Sequence, residues 1–228
     1  MQDINDKLIV ALDVDKLEIA KDLIEDLYPT VKLFKVGSQL FTACGPEAIR
    51  MVGEKGGEVF LDLKFHDIPH TVYKAVASGL GPHVFMMTLH TLGGLEMLRE
   101  GIRGAEDETA KQQIKKPILV GVTVLTSEAV TPEEVLKRAL LAKQAGLDGV
   151  VCAVSEARLI REKFGREFII VTPGIRPKGT RTDDQKRVAT AQEAIDAGAD
   201  FIVVGRPILE AKEEGKDPLK ALQEILGE

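Results

Sequence analysis

The sequence predicts an α/β fold, a single-domain TIM or (β/α)8 barrel over residues 1–228. Eight continuous apolar runs are each followed by a stretch of helical character. Runs that do not alternate with polar residues are typical of parallel strands covered on both faces. A faint repeat, Ala-Gly-Leu-Asp at 145–148 and Ala-Gly-Ala-Asp at 197–200, precedes the sixth and eighth runs. A doubly wound sheet is the alternative, but no G-x-G-x-x-G motif follows the first run, which disfavours a dinucleotide fold.

The predicted strands are the eight apolar runs themselves, because their lengths fit buried strands. They lie at 8–13, 31–36, 58–64, 83–90, 117–125, 149–154, 168–175 and 201–205. Proline is favoured in the first turn of a helix, where its missing N–H group costs nothing. Helices are therefore predicted to begin at Pro46, Pro69 and Pro132.

Polar side chains predict where other helices begin. Asp15 is the predicted N-cap of the first helix, and Ser155 that of a helix ending at Phe164. Thr131, with Glu134 three residues later, gives a capping-box pattern. Further helices are predicted from Gly94 onward and at 191–197, 208–212 and 218–226.

Length and charge limit the class of protein. With 228 residues, 44% of them hydrophobic, the chain can bury one sizeable core. The net charge of −6 disfavours a nucleic-acid partner, which requires a basic face. The polar N-terminus does not resemble a signal peptide, and no apolar run approaches membrane-spanning length. Cys44 and Cys152 are far apart and are interpreted as reduced thiols, so a cytoplasmic location is expected.

Charged residues stand at the ends of the first three predicted strands. They are Asp13, Lys35, Asp62 and Lys64. Asp62 and Lys64 are two residues apart, a spacing that places both side chains on one face of a strand. A structural ion pair would explain this pair alone. The carboxyl ends of barrel strands meet at one mouth, however, so the full set predicts an electrostatic catalytic site there.

The last two strands predict a phosphate site. Gly205 and Arg206 follow the eighth strand and lead into a helix, whose N–H groups attract anions, and Arg176 follows the seventh. The polar stretch 177–185 is interpreted as a lid over that phosphate, with an ordinary solvated connection as the alternative. His66 and His90 show no metal-ligand spacing and are interpreted as packed or hydrogen-bonded side chains. No metal site is predicted.

These residues resemble the orotidine 5′-phosphate decarboxylase family, most closely its bacterial branch. Asp62-Leu63-Lys64-Phe65-His66-Asp67-Ile68-Pro69 is similar to the family's D-x-K-x-x-D-I-P signature. Four further blocks occur in the same order as in the family, and with Ala-Leu-Asp at 11–13 they extend the resemblance over essentially the whole chain. They are Phe-Lys-Val-Gly at 34–37, Val-Thr-Val-Leu-Thr-Ser at 122–127, Thr-Pro-Gly-Ile-Arg at 172–176 and Val-Val-Gly-Arg at 203–206.

The resemblance implies a cofactor-free decarboxylation of orotidine 5′-monophosphate to UMP, the last step of de novo pyrimidine synthesis. It gives the catalytic roles to Lys64, Asp62, Asp67 and Lys35. Lys64 would protonate C6 of the pyrimidine, while Asp62 would lie against the substrate carboxylate and Lys35 would hold Asp62 and the ribose. Asp67 would reach the active site of the second subunit of a homodimer.

The same resemblance implies which residues bind the substrate. The phosphate would be held by Arg176, Gln185, Gly205 and Arg206, a ribose hydroxyl by Asp13, and the pyrimidine by Thr123. The full implied set is Asp13, Lys35, Asp62, Ile68, Pro69, Thr71, Thr123, Pro173, Arg176, Gln185, Gly205 and Arg206.

Two alternative functions belong to other classes of protein. A metal-dependent sugar-phosphate enzyme of the keto-gulonate-phosphate type shares the barrel and the D-x-K-x-x-D core. Ile68-Pro69 and the absence of a carboxylate at the end of the fourth predicted strand disfavour it. A non-catalytic nucleotide-binding barrel is the other alternative, and the cost of keeping so many charges in one site disfavours it.

Overall fold

The eight apolar runs form eight parallel strands that pair in chain order, and pairing of the first with the eighth closes the barrel. The computed structural model describes residues 4–125, 128, 130–177 and 189–227. The strands are β1 (Leu8–Ala11), β2 (Leu33–Gly37), β3 (Glu58–Phe65), β4 (Val84–His90), β5 (Ile118–Val122), β6 (Gly149–Val151), β7 (Ile169–Thr172) and β8 (Phe201–Val204). The predicted TIM barrel is confirmed.

Helices connect the strands and cover the outside of the barrel. Those in the described ranges are α1 (Leu17–Leu27), α2 (Ser38–Cys44), α3 (Glu47–Glu54), α4 (Pro69–Gly79), α5 (Gly94–Gln112), α6 (Pro132–Ala145), α7 (Val154–Phe164), α8 (Ala191–Asp196), α9 (Arg206–Glu213) and α10 (Pro218–Leu226). None of these is long and apolar enough to cross a membrane. The helix α2 was not predicted. It begins at once after β2, in a segment without proline or a hydroxyl residue at its N-cap, Gly37.

Two of the predicted caps are wrong, and one is confirmed. Lys16 is the N-cap residue of α1, with an extended backbone, so Asp15 lies one residue too early to cap the helix. β6 ends at Val151, so α7 begins at Val154 and Ser155 already lies in its first turn. The Oγ1 atom of Thr131 accepts a hydrogen bond from the N–H group of Glu134 at 3.4 Å, as predicted.

The barrel interior is filled by side chains that recur at every second strand position. It contains Ile9, Ala11, Leu33, Phe60, Met86, Val120, Val171 and Val203, all buried. The residues between them, such as Val10 and Phe34, point outward into a larger core beneath the helices. Strand side chains alternate between the two faces. The residue two positions after each of these inward apolar side chains therefore also points into the barrel, one layer closer to its end.

The faint repeat has a structural role. Asp148 and Asp200 each accept a backbone hydrogen bond at 2.8 Å, from the N–H groups of Leu119 on β5 and Ile170 on β7. The preceding glycines, Gly146 and Gly198, have φ angles of 99° and 100°, a left-handed conformation that favours glycine. Each copy of the repeat therefore ties the start of one strand to its neighbour.

Candidate active site

A cavity of about 660 Å³ opens at the end of the barrel where the strands terminate. Eight of the predicted site residues line it: Asp13, Lys35, Asp62, Lys64, Pro173, Arg176, Gly205 and Arg206. The alternation of strand side chains explains three of these positions. Asp13, Lys35 and Asp62 each stand two residues after an inward apolar side chain, namely Ala11, Leu33 and Phe60.

Four charged side chains form a continuous chain along one wall of this cavity. The Nζ atom of Lys35 lies 2.8 Å from Oδ1 of Asp13 and 3.9 Å from Oδ2 of Asp62. The same Oδ2 atom lies 2.8 Å from Nζ of Lys64. The side chains of Lys35 and Asp62 are each only 12% exposed. Signs alternate along the chain, so each buried charge has an opposite charge beside it, as buried ions require.

Lys64 occupies an irregularity in β3. The ladder with β4 pairs Leu61 with Met87 and then Phe65 with Leu89, so three residues of β3 face the single residue Thr88. Lys64 has a φ angle of +50°, unusual for a residue with a side chain. Such a conformation costs on the order of 1–3 kcal/mol, and it clusters at functional sites.

Thr88 is fully buried and is hydrogen-bonded to two charged residues of the motif, Asp62 and Lys64. Its Oγ1 atom accepts from the N–H group of Lys64 at 2.8 Å and donates to Oδ1 of Asp62 at 3.0 Å. Sequence reasoning missed this residue. The available signal was a single hydroxyl within the otherwise apolar run of β4.

Gly37, at the end of β2, was predicted only as part of a family block. A Cβ atom built on it would lie 2.7 Å from Nζ of Lys35 and 3.1 Å from Oδ1 of Asp13. A glycine here leaves room for the ammonium group of Lys35 between its two carboxylates. Ser38 and Gln39, at the start of α2, also line the cavity and were missed. The sequence feature that could have identified them is a pair of polar residues directly after a buried strand.

The arginines line the cavity where the chain leaves β7 and β8, and β8 is the neighbour of β1. Gly205 links β8 to α9, and its carbonyl group accepts from the N–H groups of Ile208 and Leu209, so the helix starts directly at the cavity. Arg176 is 8% exposed, and its Nη1 atom donates to the carbonyl oxygen of Ile175 at 3.0 Å. Two guanidinium groups beside a helix N-terminus form the kind of site that binds a phosphate.

Thr123 is not brought into the cavity. It falls between the inward positions Val122 and Val124, which do line the cavity, and its Oγ1 atom instead donates to the carbonyl oxygen of Val151 at 2.9 Å. The alternation of faces explains this placement. Val120 and Val122 point into the barrel, so the side chain of residue 123 points to the other face.

Asp67, Ile68, Pro69 and Thr71 also lie outside their own chain's cavity. Asp67 is exposed, and its Oδ1 atom accepts from the N–H group of Ile68 at 2.6 Å. The Ile68 side chain is 67% exposed. Gln185 and most of the predicted lid, residues 178–185, lie outside the described residues.

The two histidines of the motif region contact each other. The rings of His66 and His90 stack with centroids 5.6 Å apart, and Nδ1 of His90 accepts from the N–H group of Leu92 at 3.3 Å. Burial, followed by the nearby His66 and Arg138, lowers the pKa of His90 below its ordinary value. Within the described ranges, no group of three or more histidine, cysteine or acidic side chains is placed to hold a metal ion.

Comparisons of the sequence and the structure with known proteins identify the same family. The sequence model of the Orotidine 5′-phosphate decarboxylase / HUMPS family matches residues 6–225. The orotidine 5′-phosphate decarboxylase of Moorella thermoacetica is 46% identical over 98% of this chain and 92% of its own length. That of Syntrophotalea carbinolica is 47% identical over 97% and 94%. The crystal structure of orotidine 5′-phosphate decarboxylase from Lactobacillus acidophilus superposes with a TM-score of 0.80 at 36% identity, covering 96% of each chain.

Proposed function

The chain belongs to the orotidine 5′-phosphate decarboxylase / HUMPS family, and from this premise we propose that it converts orotidine 5′-monophosphate to UMP and carbon dioxide. One observation carries the proposal: the Lys64 ammonium group, held 2.8 Å from Asp62, lies at a cavity that Arg176 and Arg206 also line. Residues 1–228 would act as one catalytic domain in the cytoplasm, without a cofactor.

Lys64 would act as the proton donor. When the bond between C6 and the carboxylate breaks, its electron pair remains on C6 and carbon dioxide leaves. The Lys64 ammonium group stabilises this charge and transfers a proton to C6, and the neutral amine then takes up a proton from water. A fixed ammonium group suits this step because it needs no reorganisation when charge develops.

The remaining charged residues would hold this arrangement in place. Asp62 would lie against the substrate carboxylate, and its ion pairs with Lys64 and Lys35 fix its position. Lys35, joined to Asp13 at 2.8 Å, would present both groups to the ribose hydroxyls. Because the network is formed within the protein, the geometry is set before the substrate arrives.

Arg176, Arg206 and Gly205 would bind the phosphate together with Gln185. Arg176 lies four residues after β7, Gly205 follows β8 and Arg206 is the first residue of α9, so these groups come from other strands than Lys64. Binding energy from a part of the substrate that does not react can still lower the barrier by fixing the position of the part that does.

The exposed segment at the start of α4 would complete a second active site. Asp67, Ile68 and Thr71 do not reach their own cavity, yet they directly follow its most charged strand. The 67% exposed Ile68 side chain would be covered by a second copy of the chain, and burying such a side chain contributes about 1.5–3 kcal/mol. We therefore propose a homodimer in which Asp67 acts in trans.

The related sugar-phosphate chemistry would require carboxylate ligands for a metal ion at the cavity. The inward positions at the end of β4 are Thr88 and His90, neither of which is a carboxylate. The test is an absorbance assay with orotidine 5′-monophosphate, with and without EDTA, and chromatographic detection of UMP. We expect turnover that is unchanged by EDTA. Absence of turnover, or activity lost in EDTA and restored by Mg²⁺, would contradict the proposal.

A further inference from the structure

We propose that Thr88 is a positioning residue of this active site, whose hydroxyl group sets Lys64 and Asp62 in register with each other. The inference rests on the proposed function, in which those two residues act on the substrate. Thr88 itself does not line the cavity and would not touch the substrate. Its role would be exerted through the two residues that it contacts.

The first part of the argument is the backbone of β3. Because Asp62, Leu63 and Lys64 together face one residue of β4, the N–H group of Lys64 falls where the regular ladder is interrupted. A buried N–H group without an acceptor is costly. The Oγ1 atom of Thr88 supplies that acceptor at 2.8 Å. The threonine hydroxyl thus stabilises the left-handed conformation that Lys64 adopts at a φ angle of +50°.

The second part is the direction of the hydroxyl proton. Since Oγ1 accepts from the N–H group of Lys64, its own hydrogen atom is available for Oδ1 of Asp62, 3.0 Å away. The other carboxylate oxygen, Oδ2, is then the one that pairs with Nζ of Lys64 and of Lys35. One hydroxyl group therefore holds Lys64 by its backbone and Asp62 by its carboxylate.

The third part is burial. The side chain of Thr88 is 0% exposed, so water has no access to replace a missing hydroxyl group. Valine has nearly the same shape as threonine but can neither accept from Lys64 nor donate to Asp62. In Thr88→Val both partners would lose a hydrogen bond inside the protein, and the Lys64 ammonium group would lose its defined position relative to Asp62.

The experiment compares Thr88→Val with Thr88→Ser, which retains the hydroxyl group. We expect kcat of Thr88→Val to fall about 100-fold, as expected for a reacting group displaced by about 1 Å, with KM and UMP affinity within about threefold. Thr88→Ser should recover most of that loss. Thr109→Val is the matched control, because Thr109 is also buried but its hydroxyl donates to the carbonyl oxygen of Ala105 within α5. Its kcat should equal that of the wild type.

A second measurement does not depend on turnover. Hydrogen exchange measured by NMR should show the amide proton of Lys64 exchanging at least about tenfold faster in Thr88→Val than in the wild type or Thr88→Ser. A wild-type chain without turnover would overturn the proposed function, while this measurement would still decide whether Thr88 holds Lys64.

Three results would overturn the positioning role. The first is a Thr88→Val variant with kcat within about threefold of the wild type. The second is a Thr88→Ser variant as slow as Thr88→Val. If Thr88→Val shows no cooperative thermal transition, Thr88→Ala replaces it. The third result is that neither Thr88→Val nor Thr88→Ala folds while Thr88→Ser is active. The hydroxyl group would then be required for folding and not for positioning Lys64.

Discussion

Oδ2 of Asp62 and Nζ of Lys64 lie 2.8 Å apart, and these residues are two positions apart on one strand. The irregular pairing of β3 with β4 occurs between them, and Lys64 carries the left-handed backbone. The two-residue spacing puts both side chains on one face, and the irregular pairing of β3 sets the backbone from which the Lys64 ammonium group reaches the cavity. The predictions below test what that cavity does.

Replacing Lys64 with alanine should abolish decarboxylation while leaving UMP bound. Removing a proton donor and the charge beside the reacting carbon lowers kcat by at least about 10³-fold. The decrease in orotidylate absorbance measures turnover, and titration calorimetry measures UMP binding. Lys137→Ala, at a 79% exposed lysine on α6, is the control. Turnover close to that of the wild type in Lys64→Ala would refute the assigned role.

Gly37→Ala should impair catalysis without impairing folding. The backbone of Gly37 is extended, with φ of −98° and ψ of −174°, a conformation that alanine adopts readily. The added methyl group would nevertheless displace the Lys35 ammonium group, only 2.7 Å away, and lower kcat/KM about 10–100-fold. Thermal melting and steady-state kinetics provide the two readouts.

The control for that variant is Gly81→Ala, where a new Cβ atom would meet nothing within 4 Å. It should match the wild type in both measurements. Unchanged kinetics in Gly37→Ala would mean that the position of Lys35 does not limit the reaction.

Arg206→Gln should weaken binding of UMP far more than binding of uridine. A hydrogen bond to a charged group contributes about 1.5–3 kcal/mol, which corresponds to a loss of about 10–100-fold in UMP affinity. Uridine lacks the phosphate, so its affinity should change little. Arg50→Gln removes an exposed arginine that is paired with Glu47 on α3 and serves as the control. Equal losses for both ligands would contradict a phosphate site at α9.

Subunits inactivated in different ways should restore one another's activity. In a mixture of Lys64→Ala and Asp67→Ala chains, half of the dimers are hybrids with one intact site, so activity should recover to about a quarter of the wild-type value. Each variant mixed with itself provides the baseline. If mass spectrometry confirms exchange of subunits and no activity returns, Asp67 does not act in trans.

Stability should decrease as the pH falls below about 6.5, in part because of His90. Its pKa is lowered in the folded chain by burial and by His66, Arg138 and Lys64, against an opposing effect of Glu128. The unfolded chain therefore takes up this proton first, which favours unfolding by at most about 1.4 kcal/mol per pH unit. Denaturant titrations between pH 7 and 5 should show a shallower dependence in His90→Gln.

The comparison for that variant is His70→Gln, which removes an exposed histidine on α4. A pH dependence reduced equally by both substitutions would show that His90 has no special part in it.

The barrel could be predicted from the sequence because its strands are buried on both faces. Runs such as Ile118–Val122 and Phe201–Val204 are then apolar throughout, and Pro69 and Pro132 mark the first residues of α4 and α6. The inward side chains Asp13, Lys35 and Asp62 follow from the same strands, because alternation fixes their face.

The rest depends on contacts between strands. Nothing in the residues around Lys64 indicates a left-handed backbone, since the segment contains no glycine. The role of Thr88 appears only once β4 is paired with β3. The resemblance alone implied a contact of Thr123 with the pyrimidine, and the strand alternation that directs its hydroxyl group towards Val151 is seen only in the paired strands. The caps at Asp15 and Ser155 failed because strand ends and helix starts shifted by a few residues.

The backbone conformation of Lys64 serves the reaction but lowers the stability of the fold. A residue with a side chain at a φ angle of +50° is disfavoured, whereas glycine adopts that angle without penalty. A directed-evolution experiment that rewards heat resistance alone would therefore favour glycine at position 64 and produce an inert barrel. Library screens on this scaffold need a growth or turnover selection applied in every round, because the ammonium group stands on a backbone conformation that stability alone does not favour for lysine.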